Sequence, residues 1–232
     1  MPAQSDAAAP PRRPTGSRRW RLAAAPLLTL VLAGLLLTAA CEWAVGHGAQ
    51  GRVSSAPETT PEQDVALLVA GPRTFDGSLG GLLSPAPVRS VARLWQLGKL
   101  RAVLVSGPQA DRLRRELVEA GLPPEYVRSD TQARGWVQAL VRARAVHGVQ
   151  DLLLVAPHGP LERGLYLAQA LDLPARGLLS SEAASGPLDR LRGFGHEALA
   201  RVRLVLRVWL GRLPSPAGPA HPEPLPMAPR LA

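Results

Sequence analysis

Short apolar runs punctuate the middle of the chain, and each closes in a turn. They read VALLVAG (Val65–Gly71), RAVLVSG (Arg101–Gly107) and DLLLVAPHG (Asp151–Gly159), with RGLLS around Leu178 as a fourth. A run without polar alternation marks a strand buried on both faces. Between the runs, apolar residues recur at helical spacing: Val88, Val91, Leu94 and Trp95 in 86–97, Leu113 and Leu117 in 110–120, and Trp136, Leu140 and Val141 in 131–146. Leu161, Leu165, Ala168 and Leu171 continue the pattern after the third run. Strands alternating with helices predict an α/β domain over 64–212, a Rossmann-like three-layer sandwich with a mainly parallel sheet. Right-handed crossovers set the turns at Gly71, Ser106-Gly107 and His158-Gly159 along one edge, where ligands bind in such sheets.

The N-terminal pattern is different. Leu22 to Ala40 is nineteen residues without a charge, about 28 Å as a helix, which matches the hydrocarbon core of a bilayer. Trp20 and Trp43 flank it, and arginines precede it, so the rule that positive charge stays inside puts the N-terminus in the cytoplasm and the domain outside. The expectation is a single-pass membrane protein with an extracytoplasmic domain. Two other readings stay open: a lipoprotein box at Thr38-Ala39-Ala40-Cys41, and a cleaved signal. Residues 1–21 read as a disordered cytoplasmic start, 41–63 as a Gly/Ser/Pro/Thr linker, and 213–232, with seven prolines, as a loose tail. A last helix over about 188–212 carries Ala198, Val202, Val205 and Trp209 on one face, with Arg201, Arg203, Arg207 and Arg212 mostly off it. Packing on the sheet is its ordinary role, and rest on an anionic membrane surface is the alternative.

Composition narrows the function classes. The net charge is +9, but residues 1–40 hold five arginines and one aspartate, which leaves +5 spread over the other 192 residues. That diffuse surplus does not form a nucleic-acid footprint. The single cysteine, Cys41, excludes an intramolecular disulfide and a cysteine metal cluster. No phosphate-binding Walker loop, dinucleotide glycine fingerprint, HExxH or nucleophile elbow is present. What remains is polar residues at strand ends. Ser106 and Gly107 close a strand ahead of a helix, either to receive an anion or as a plain tight turn. Arg134 opens a helix that Asp130 or Thr131 caps. His158 is a candidate acid/base given a partner within reach. Arg163 lies in the first turn of the helix after it, and Glu197 is either a helix-face charge or reaches Arg163. Asp111, His158 and Glu197 lack metal-ligand spacing, and no metal or cofactor is expected.

Taken in order, residues 20–212 resemble the SanA/YdcF/ElyC-like family of bacterial envelope proteins. VALLVAG looks like the family's first strand, with Ala70 where the family has leucine, and WQLGKLRAVLVSG (Trp95–Gly107) like its Gly-Lys, strand, Ser-Gly segment. ELVEAGLPPEYVRSD (Glu116–Asp130), PLERG (Pro160–Gly164) and HEALAR (His196–Arg201) are similar to three further family segments. The chain departs at Pro160, where the family has a histidine, at Gly135, where it has a threonine, and in a shortened segment near Gln109 and Asp111. The resemblance implies a bacterial inner (plasma) membrane protein with a role in envelope integrity, and the strand-end residues add the expectation of an anionic small molecule or envelope precursor held at Gly71, Ser106, Gly107, Arg134, Arg163 and Glu197. It leaves open a hydrolase or transferase on a phosphorylated or lipid-linked sugar, with His158 as acid/base, and a non-catalytic scaffold.

Overall fold

The computed structural model describes residues 17–70, 86–180, 187–212 and 223–229. In chain order these form α1 (Ser17–Ala49), β1 (Val53–Ser54), β2 (Val65–Val69), α2 (Ala86–Gln96), β3 (Ala102–Ser106), α3 (Ala110–Glu119), β4 (Val127–Asp130), α4 (Trp136–Ala145), β5 (Leu152–Ala156), α5 (His158–Ala170), β6 (Ala175–Leu179) and α6 (Pro187–Trp209). The chain divides into two compact units, Met1–Ala39 and Ala40–Ala232.

The first unit contains the apolar stretch of α1, where Leu28, Leu30, Leu32, Leu35 and Leu36 are exposed. Leu28–Ala49 has a mean hydropathy of 1.9 and is long and apolar enough to cross a membrane.

The second unit is a six-stranded, all-parallel sheet in the order β1-β6-β5-β2-β3-β4. Consecutive residues of a strand face opposite sides, so each apolar run feeds two cores at once. Val65, Leu67, Leu104, Leu152 and Leu154 pack with Leu140, Leu161 and Leu165 from α4 and α5. Ala66, Leu68, Val103, Val105, Leu153 and Val155 pack with Val88, Val91, Leu94 and Leu117 from α2 and α3. This is the α/β sandwich that the alternation of runs predicts.

Three sequence expectations need correction. The segment read as a linker is structured: α1 continues to Ala49 with Cys41, Val45 and Ala49 buried, and β1 pairs in parallel with β6. The glycines at 46 and 48 weaken the helical signal there, and tertiary packing supplies what propensity does not. Part of the tail read as loose lies on the domain, where Leu225 is buried, Glu223 N–H donates to Val146 O at 2.8 Å, and Ala228 N–H donates to Arg101 O at 2.9 Å. Finally, α4 begins at Trp136, with Gly135 rather than Asp130 or Thr131 at its cap.

Candidate functional site

Strands are added to one side of β2 (β3, then β4) and then to the other (β5, then β6), so the order reverses between β2 and β5. The crevice at such a reversal opens beyond the carboxyl ends of the strands. Gly71 and the loop that follows β2 lie outside the described residues.

At the end of β3, Ser106 is fully buried and its hydroxyl has no partner among the described residues. Ala70 N–H donates to Ser106 O at 2.7 Å, and Gly107 N–H donates to Asp130 O at 2.8 Å. Gly107 has φ 126, and a Cβ there would run into the Ala70 carbonyl, so only glycine fits. The Gly107 amide is therefore committed to the sheet. Asp130, at the end of β4, takes two bonds from Arg142, Nε to Oδ2 at 2.7 Å and Nη2 to Oδ1 at 3.0 Å, and a third from Gln132 N–H at 3.1 Å. His147 Nε2 lies 3.9 Å from Oδ2, an electrostatic neighbour beyond hydrogen-bond range. Burial pushes the Asp130 pKa up, but His147, Arg142 and the Gln132 amide together outweigh it and hold the carboxyl well below the usual range.

A second polar cluster gathers at the start of α5. Arg201 of α6 is buried and donates Nη1 to Glu42 Oε2 and Nη2 to Glu162 Oε2, both at 2.6 Å, and Nε to Glu197 Oε1 at 3.2 Å. Burial works against its charge, yet Glu162, Glu42 and Glu197 prevail and raise its pKa. Arg163 Nε lies 2.9 Å from the same Glu197 oxygen, close enough for an ion pair although its N–H is not aligned for a hydrogen bond. Burial, reinforced by the like charge of Arg201, lowers the Arg163 pKa against the pull of Glu197. Glu197 Cδ stands where a Cβ on Gly159 would come within 2.8 Å, so a carboxylate from the chain itself is seated against the first turn of α5. The positive end of that helix dipole thus has an internal anion.

His158 is the outermost member, with 72% of its side chain exposed, and its Nε2 lies 3.6 Å from Glu162 Oε1. Glu162 is already bonded to Arg201, so it is poorly placed to serve as a proton-transfer partner. Among the described residues no cluster of His, Cys, Asp and Glu could hold a metal ion.

An opening lies beside this cluster, along α6 and the start of α4. It is a groove of about 740 Å³ lined by Arg134, Arg163, Arg203, Arg207 and Arg212, with Trp136 in its wall and no acidic residue among the described lining. Arg134 is held at the groove mouth by its own backbone, whose N–H donates to Gln138 Oε1 at 2.7 Å. The structure thus brings Arg134 and Arg163 together, sets Glu197 behind Arg163, and leaves Ser106 and Gly107 outside the groove. Sequence reasoning placed Arg203, Arg207 and Arg212 off the apolar face of the last helix without joining them to Arg134. The available signal was the i, i+4 spacing of Arg203 and Arg207, which stacks two cations on one side of a helix. Comparison with known proteins finds no family model, no curated protein and no solved structure that matches this chain.

Proposed function

We propose that this is a membrane-anchored protein whose extracytoplasmic α/β domain binds an anionic small molecule or envelope precursor in the arginine groove, in support of the cell-envelope barrier. The observation that carries the reading is one opening lined by five arginines, of which Arg163 is paired with Glu197, with no acidic residue among its described lining. Guanidinium forks bind phosphate and carboxylate through paired charge-assisted bonds, and the wall of Trp136 offers a flat apolar contact beside them. The resemblance to the SanA/YdcF/ElyC-like proteins supports the envelope role and the direction of the anchor.

The test is calorimetric titration of the detergent-solubilised full chain with inorganic pyrophosphate. Arg134→Ala and Arg207→Ala should each weaken binding about tenfold, since a hydrogen bond to a charged group contributes roughly 1.5–3 kcal/mol. Unchanged affinity in both variants would sink the binding reading. A reporter fused to the C-terminus and active only in the cytoplasm would overturn the orientation.

A second reading, hydrolase or transferase on a phosphorylated or lipid-linked sugar, takes His158 as acid/base 3.6 Å from Glu162 and requires Glu162 to be freed from Arg201. It requires His158→Ala to abolish the envelope phenotype while pyrophosphate binding survives. A non-catalytic scaffold is the reading that remains if neither variant set has an effect.

A further inference from the structure

The groove uses one side of α6, and the next side is apolar and open. Leu199, Leu206 and Leu210 follow one another at i, i+7 and i+11, on a single flank, and are 48%, 41% and 61% exposed. Trp209 at the helix end is 75% exposed. Arg203 and Arg207 adjoin this flank, Arg212 closes it, and none of the three makes an ion pair with a described residue. From Ala198 to Arg212 there is no acidic residue at all. A soluble helix has no use for such a surface, whereas leucines and a tryptophan bordered by unpaired arginines suit the boundary between acyl chains and anionic headgroups.

The position of the helix along the chain points the same way. Cys41 is the first residue after the uncharged run Leu22–Ala40, and it packs with Val45 and Val205 in one buried cluster. Arg201, one turn earlier on α6, bonds Glu42. The half of α6 that carries Leu206 and Trp209 is therefore clamped to the residues that immediately follow the run Leu22–Ala40. The covalent connection through Cys41 thus tethers this half of the helix near whatever surface the run emerges from, and tethering raises its effective concentration there.

We propose that the C-terminal half of α6 docks on the anionic phospholipid surface of the membrane that anchors the chain, with Leu206, Trp209 and Leu210 in the interface and Arg203, Arg207 and Arg212 on the headgroups. This rests on the reading of Leu22–Ala40 as a membrane span.

The test uses the full chain in nanodiscs of phosphatidylcholine with or without one third phosphatidylglycerol, each with brominated acyl chains as quencher. The difference between wild type and Trp209→Phe isolates the emission of Trp209. That emission should lose more than half its intensity in the anionic discs and little in the neutral ones. Arg203→Gln/Arg207→Gln/Arg212→Gln should weaken docking on the order of a hundredfold at about 1 kcal/mol per arginine, which restores the emission. Leu206→Ser/Leu210→Ser should also restore it while leaving pyrophosphate binding intact, because neither leucine lines the groove. Unquenched Trp209 in both disc types overturns the proposal, and equal quenching in both overturns its dependence on anionic lipid. Failure of the chain to enter discs overturns the anchor and this proposal together, whereas loss of pyrophosphate binding with quenching retained overturns only the groove.

Discussion

Arg201 Nη1 donates to Glu42 Oε2 at 2.6 Å and so ties α6 to α1 across 159 residues of sequence. The same guanidinium bonds Glu162 and Glu197, so one buried cation is shared by three carboxylates from three helices. Arg201→Ala leaves those carboxylates facing one another in a partly dry site and should cost about 3 kcal/mol. Arg201→Lys should recover only part of this, because an ammonium lacks the fork that reaches several acceptors at once. Urea midpoints of the three proteins are the measurement, and an Arg201→Ala midpoint equal to wild type would show that the cluster contributes nothing net.

Asp130 makes the fold sensitive to acid. Its folded pKa lies below the unfolded value of about 3.9, so its contribution is complete above about pH 4 and drains away as the pH falls further. Asp130→Asn should lower the Tm at pH 7 and leave a flatter profile between pH 5 and pH 2. Parallel wild-type and variant profiles across that range would refute the assignment.

The docked tail contributes to stability. Leu225 is buried in the same core as Val149 and Leu173. Leu225→Ala should destabilise the domain by about 2 kcal/mol, at the low end for a core leucine because the segment lies at the periphery. Thermal melts of this variant and of a chain ending at Arg212 should move in the same direction. A truncated chain as stable as the whole would mean that the segment adheres without stabilising.

The strands that could be read from sequence are those covered on both sides. β2, β3 and β5 each show as an apolar run, because every position in them is buried between two helical layers, whereas β6 (ARGLL) keeps Arg176 exposed and reads more weakly. β4 reads VRSD and β1 is two residues long. Both are edge strands, and in β4 only Val127 and Asp130 are buried, so neither carries a hydrophobic signature. The site divides along a similar line. Arg134 stands just ahead of α4 and Arg163 in the second turn of α5, both beyond strand ends, a place that topology alone marks. Arg201 stands in a helical stripe of apolar residues, and nothing in its neighbours along the chain announces that Glu42 will meet it. Glu223 and Leu225 are brought in by the return of a proline-rich segment, which periodicity does not register.

The pairing of Val53 with Gly177 and Ser54 with Leu178 has a bearing on proteolysis. A protease that cut between α1 and Val53 would sever a covalent link, yet β1 would stay behind as part of the sheet. A cut just after Ser54 would instead strip β6 of its neighbour and leave a row of backbone donors and acceptors open to other chains. A cut that removes the covalent link to α1 and still keeps the sheet whole is thus confined to the few residues between the end of α1 and Val53, and α6 would go on holding α1 through Glu42 and Val45.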